Sequence, residues 1–146
     1  MYGSNGTITY VSTDEVERNK DWIEKYKVIF TMAAPGGGGS DKNGMYLLLS
    51  SSQILNPKEV CTQTFLVGDT FNNYVEAENC LHYLRCRFTR FLILQTMTSQ
   101  HLSPERFQFV PLQDFTRPWT DADLYAKYHL TDEEIQFIES MIKPME

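Results

Sequence analysis

Alternation of apolar with polar residues marks the first half of the chain, and spacing by threes and fours marks the second. Thr7 to Ser12, reading TITYVS, alternates β-branched and aromatic residues with smaller ones and predicts a strand. Beyond a polar stretch, Thr13 to Lys20, and the pair Trp22-Ile23, the run Tyr26 to Thr31 predicts a second. Met45 to Ser50 and Val60 to Val67 predict two more, separated by the turn signal Asn56-Pro57. From Tyr74 to about Thr98, Ala77, Cys80, Leu81, Leu84, Phe88, Phe91 and Leu92 recur every three or four residues, the pattern of one long core helix. On a continuous helix Arg85 and Arg87 fall on the shoulders of that stripe and Arg90 points away from it. Phe107 to Val110 predicts a last strand before Pro111. Two capping boxes, Thr120 with Asp123 and Thr131 with Glu134, then start short helices over about Asp121–Tyr128 and Asp132–Lys143, the second stopped by Pro144. The expected fold class is α+β: a small mixed or antiparallel sheet packed on one long central helix, with two short C-terminal helices. All of it falls in one domain, 1–146, whose helical tail is 118–146.

One segment breaks the patterning. Ala33 to Gly44, AAPGGGGSDKNG, holds four consecutive glycines that cannot pack a core, so it is a surface loop or a place where backbone approaches a ligand. A flexible engineered linker is the plain alternative. The rest, at 42% apolar and 13% aromatic residues, is too apolar for a disordered chain. No run nears the roughly 18 apolar residues of a membrane span, and no leader follows Met1, so the expected location is cytoplasmic, without membrane association. Cys61, Cys80 and Cys86 are three in number and lack a Cys-x-x-Cys pair, which argues for reduced thiols rather than disulfides or a zinc knuckle. Cys80 and His82 lie on nearly opposite helix faces, so with Cys86 they make a poor metal site.

Charge redirects the search for function. The net charge is −6, but residues 1–80 carry −4, residues 81–117 carry +3 and residues 118–146 carry −5. The basic groups of the middle stretch are all arginine: Arg85, Arg87, Arg90, Arg106 and Arg117. Phosphate contacts respond to the local field, so an acidic total does not exclude a nucleic-acid partner for that stretch.

The order of Asp21-Trp22-Ile23, Tyr26-Lys27-Val28, Asp41-Lys42-Asn43-Gly44, Glu59 to Phe65, Glu76 to Asn79, Arg90-Phe91-Leu92, Ser99-Gln100-His101 and Phe109 to Phe115 resembles one known arrangement. It is similar to the carboxyl-terminal target-recognition region of type II restriction-modification adenine-specific DNA methyltransferases. The likeness runs from about Thr7 to Glu146, with Phe109 to Phe115 and the last twenty residues carrying most of it. The resemblance implies a C-terminal piece of a larger enzyme. Its partners would be double-stranded DNA and the methylase domain of the parent chain. S-adenosylmethionine would belong to that parent, and no cofactor is expected in this fragment. The family's catalytic signature, an acidic or amide residue before Pro-Pro and an aromatic, is missing, as are the glycine-rich cofactor turn and the nuclease's Glu-x-Lys. The expectation is therefore binding without catalysis.

For such a surface, Lys42, Asn43, Gln100 and His101 are the candidates for reading base edges, and Arg85, Arg87 and Arg90 for holding phosphates. Each has a plainer reading. Arg87 can lay its stem over core residues, His101 can bond to local backbone, and Asn43-Gly44 is a turn signal in any protein. Trp22 and Trp119 are read as packing residues. Two rival functions stand beside the first: a protein-interaction module docking on the methylase through its acidic tail, and a small enzyme pairing Cys61 or Cys86 with His82 or His101.

Overall fold

The computed structural model describes residues 1–3, 5–49, 51–99 and 101–145. Its centre is strand β1, Tyr26–Thr31, whose Val28, Ile29 and Phe30 are fully buried. β1 lies between two antiparallel neighbours, β2 (Ser52–Leu55) and β3 (Phe65–Phe71), in a three-stranded sheet of order β2-β1-β3. Lys27 pairs with Leu55 and Phe30 with Ser52 on one side. On the other, Val28 pairs with Asp69 but Ile29 with Val67, so Gly68 is the extra residue of a bulge. A Cβ on Gly68 would come within 3.1 Å of the Phe30 ring and 3.3 Å of Leu84, so glycine is what lets the helix layer close on this strand.

That layer begins with α1, Tyr74–Arg85, started by the Asn73 side chain, which accepts from the Glu76 amide at 2.9 Å. Its Ala77, Cys80, Leu81 and Leu84 pack in one cluster with Val28 and Phe30 of the sheet. The helix does not run on to Thr98. Cys86 adopts an extended ψ of 144°, and α2, Arg87–Leu94, starts afresh beyond it. The amides freed by the break are taken by one carboxylate: Asp121 accepts from the Phe88 amide at 2.9 Å and from the Arg87 amide at 3.2 Å. The single long helix is thus corrected to two, because the group that caps the second lies 34 residues away.

Both terminal helices form where their capping boxes place them. α3 is Asp121–Lys127 and α4 is Asp132–Met141, with the Thr120–Asp123 and Thr131–Glu134 boxes each closed in both directions. α4 stops short of Lys143 because Ile142 turns extended and bridges Tyr46. Among the described residues, three expected strands do not form where expected, although β2 ends at Leu55 just before the Asn56-Pro57 turn signal. Thr7 to Ser12 makes only a single bridge, Ile8 to Tyr2, and in the stretch from Met45, Leu48 takes a φ of +70° that no strand tolerates. Around Phe107 the chain instead forms a 3₁₀ turn, Pro104–Phe107. The fourth, expected at Val60 to Val67, is β3, displaced toward the C-terminus by the turn in which the Phe65 amide donates to Thr62.

The segment from Pro111 to Trp119 is a packed brace. Tyr83 donates its hydroxyl to the Pro111 carbonyl at 2.7 Å, and the buried Asn79 amide donates to the Phe115 carbonyl at 2.9 Å. Gln113, also buried, donates to the Tyr128 hydroxyl at 2.9 Å and accepts from Lys127 Nζ at 2.6 Å. Trp119 donates its indole N–H to the Asp114 carbonyl at 2.8 Å, while Arg117 and Lys127 lie 4.0 and 4.8 Å from its ring centre. Trp119 is therefore a packing residue, as its sequence setting suggests. No helix among the described residues is long and apolar enough to cross a membrane.

Candidate functional site

The end of α1 and the start of α2 bring Arg85, Arg87 and His82 to the wall of one cleft of about 450 Å³, closed by Thr120, Asp121, Pro144 and Met145. His82 and Arg85 are three residues apart and share a helix face; the kink at Cys86 brings Arg87 to the same wall. His82 is exposed there, and Arg87 is half-buried. Arg87 reaches Glu139 of α4 at 3.7 Å, beyond hydrogen-bond distance, so this ion pair holds it loosely. Arg85 is held more firmly. Its Nε donates to Ser52 Oγ at 3.0 Å and its Nη2 to the Ser52 carbonyl at 2.8 Å, tying α1 to β2.

Arg90 requires a correction. Expected to leave the apolar face and reach phosphate, it is fully buried, and its guanidinium donates to three backbone carbonyls: Arg85 at 2.9 Å, Leu47 at 3.1 Å and Lys143 at 2.6 Å. The break at Cys86 resets the helical phase, so spacing counted from Tyr74 assigns the wrong face to Arg90, although Phe88, Phe91 and Leu92 still face the core. Burial pushes the guanidinium down to about 10, with Asp121 acting the other way, so it remains charged at neutral pH. Arg90 joins three chain segments, and although its side chain also borders the arginine cleft, every hydrogen bond its guanidinium makes among the described residues goes to the backbone of the fold.

The glycine loop runs between two anchors. At its start Ala33 bridges His101, and the Leu102 amide donates to Met32. At its end Asp41 is paired with Lys143 at 2.7 Å, and Tyr46 with Ile142. Lys143 is the residue whose carbonyl Arg90 holds, and Pro144 and Met145 line the arginine cleft. The loop therefore connects His101 at one end with the edge of the cleft at the other. Lys42 and Asn43 are exposed at the tip of a turn closed by the Gly44 amide on the Asp41 carbonyl, with Asp41 Oδ1 accepting from the Asn43 and Met45 amides. Lys143 and these amides hold the Asp41 carboxyl down at about 2. Gly36, Gly37 and Gly38 all have positive φ, which explains a glycine run at this point without a ligand. His101 is exposed, with its amide donating to Ser99 Oγ at 3.4 Å. Gln100 lies outside the described residues.

His82 and Lys143 were missed as companions of this site. Three-residue spacing from Arg85 is a signal that could have found His82; Lys143 offered none, because its role depends on a contact with Asp41. The thiol chemistry of the rival enzyme reading finds no support in the geometry. Cys86 is buried, its Sγ donates to the His82 backbone carbonyl at 3.4 Å rather than to an imidazole, and burial pushes its thiol up to about 12. Cys80 is likewise pushed up to about 12 by burial, and Cys61 is raised by it as well, against the opposing pull of Lys27. Among the described residues no group of three or more His, Cys, Asp or Glu stands where it could hold a metal ion. Comparison of the chain with protein-family models, with curated protein sequences and with solved structures finds no match in any of the three.

Proposed function

We propose that this chain is a DNA target-recognition domain, a specificity part of a restriction-modification adenine methyltransferase that binds duplex DNA and positions a separate catalytic domain. The observation that carries the reading is the gathering of Arg85, Arg87 and His82 on one cleft adjoining the segment that anchors the Lys42–Asn43 turn. In this reading Arg87, with Arg85 secured to Ser52 beside it, contacts phosphates and fixes the register of the domain on the duplex. Lys42, Asn43 and His101, at the two ends of the glycine loop, present donors and acceptors to base edges in a groove. The sequence resemblance gives the partner; the cleft and loop supply a surface with the chemistry such a partner needs.

The test is titration of the labelled chain with a pool of short duplexes at low salt, repeated with Arg87→Ala and His101→Ala. Arg87→Ala weakens binding to all sequences and makes the salt dependence shallower by about one ion, whereas His101→Ala changes the ranking among sequences. Identical losses on every duplex from both substitutions, or no amide shifts near Arg85, Arg87 and the glycine loop, would refute the assignment.

A further inference from the structure

On the side of the molecule formed by α2 and α4 lies a second groove, of about 530 Å³, within the range of about 300–1,000 Å³ typical of ligand clefts. Its floor is aromatic. Phe88 stacks on Tyr128 with ring centres 5.1 Å apart, and Phe91 meets Phe137 edge to face at 5.9 Å. These rings are not all needed by the core. Phe137 is 55% exposed and Tyr128 36%, and Phe91, Leu92 and Leu130 are only partly buried, so the apolar surface is contiguous. The rim is acidic: Glu133 and Glu134 line it, and neither lysine nor arginine does. Glu134 is already engaged as a cap by the Thr131 amide, while Glu133 stands exposed beside it.

We propose that this groove docks an amphipathic helical segment of a protein partner, whose apolar face carries residues at helical spacing and is flanked by lysine or arginine. Two helices already form the walls, so a third laid between them buries Phe137, Phe91 and Leu92 as one strip and brings its cationic flank to Glu133. Charge complementarity selects this occupant. A nucleic acid is repelled by the glutamates, and the surrounding stretch 118–146 carries −5. The groove uses none of the side chains assigned to DNA, so the inference stands or fails separately from that reading.

The experiment selects from a displayed library of random peptides about 16 residues long for binding to the full chain, with counter-selection against Phe137→Asp. Phe137 is exposed on α4, so the substitution leaves the fold intact, which circular dichroism verifies. The expected enrichment is peptides with apolar residues at positions i, i+3 or i+4, and i+7, bordered by Lys or Arg. Phe137→Asp lowers their affinity by about thirtyfold or more, as loss of a central anchor does. Glu133→Lys lowers it by about five- to tenfold and removes its salt dependence. Duplex binding by either variant stays unchanged. Failure to enrich any peptide over the counter-selected variant overturns the proposal, as does enrichment of peptides without basic residues. Concentration-dependent self-association of the chain that Phe137→Asp abolishes also overturns it, by assigning the groove to a second copy.

Discussion

Replacing Arg90 with methionine keeps much of the side-chain volume and removes the guanidinium, so it isolates the three carbonyl contacts. Hydrogen bonds from a charged donor contribute about 1.5–3 kcal/mol each, giving roughly 5–9 kcal/mol for the three. Against this stands the cost of burial. The guanidinium is pushed from its ordinary value of 12.5 down to about 10, which at about 1.4 kcal/mol per unit is on the order of 3 kcal/mol against the charged form. The difference agrees with the loss of about 3–5 kcal/mol usual when one partner of a buried charged network is removed. The three carbonyls belong to Arg85, Leu47 and Lys143, so the damage spreads to the end of α1, the chain before β2 and the C-terminal segment. For a domain of this size the melting temperature falls by about 6–20 °C.

The assay is urea unfolding with hydrogen exchange at the Lys143 amide, which donates to the Tyr46 carbonyl at 2.9 Å and reports on the same junction. Arg90→Lys restores little, because one ammonium cannot reach three carbonyls arranged for a planar fork. Duplex binding measured well below the melting transition keeps its salt dependence. A loss below about 1 kcal/mol, together with a shallower salt dependence, would refute the reasoning and return Arg90 to the list of phosphate contacts.

Asp121→Ala uncaps α2 at Arg87 and Phe88 and lowers stability by about 1–2 kcal/mol, with faster exchange confined to the first turn of that helix; a urea midpoint unchanged by the substitution would count against the long-range cap. The Asp41 carboxyl, held at about 2 chiefly by its hydrogen bond to Lys143, contributes stability that is complete above the ordinary carboxylate value of 3.8 and is lost as pH falls from about 4 to 2. Lys143→Ala raises that carboxyl toward 3.8, which carbon-detected NMR titration reads directly, and no movement would dissolve the anchor at the end of the glycine loop. Alkylation of Cys80 and Cys86 at pH 8 is about a thousandfold slower in the folded chain than in urea, since thiols pushed up to about 12 hold almost no thiolate. A Cys86 that reacts in the folded chain like a free thiol would restore the nucleophile reading.

What could be read from the sequence was what depends on neighbours in the chain. The run from Tyr26 to Thr31 is β1 residue for residue, and Thr120–Asp123 and Thr131–Glu134 start helices at the expected positions because each box is complete within four residues. The sheet is antiparallel and small, and the fold is α+β. What failed depends on distant partners. The division at Cys86 is stabilised by Asp121, and with it went the predicted face of Arg90. The turn chemistry of Asp41 to Gly44 was legible from Asn43-Gly44, yet its tie to Lys143 was not. Within the proposed site, helical spacing yielded Arg85 and Arg87 but gave no hint that Ser52 occupies most of the first.

The burial of basic groups also changes what the charge count implies about DNA. Lys27 is 3% exposed, with its Nζ donating to the carbonyls of Trp22, Ile23, Lys25 and Asn56, and Arg90 is buried in the same manner. Both cations are satisfied by backbone dipoles and project little field from the surface. Arg106 is turned inward as well, donating to the Thr96 carbonyl at 2.6 Å, and Arg117 is paired with Asp123 at 3.3 Å. Of the middle stretch's basic residues this leaves Arg87 and part of Arg85, to which Lys42 of the glycine loop, outside that stretch, adds one cation whichever edge it reads, the equivalent of about two to three phosphates neutralised. With about 0.9 ions released per phosphate on duplex DNA, binding by this chain falls only about ten- to fortyfold between 50 and 200 mM salt. A protein making 6–10 such contacts falls by about 10³–10⁵ over the same range. A slope as steep as the latter would mean that the surface carries phosphate contacts this arrangement does not contain. Under the proposed function, a shallow slope would suit a specificity domain whose catalytic domain supplies the other half of the grip, because the complex would then form tightly only where both halves engage.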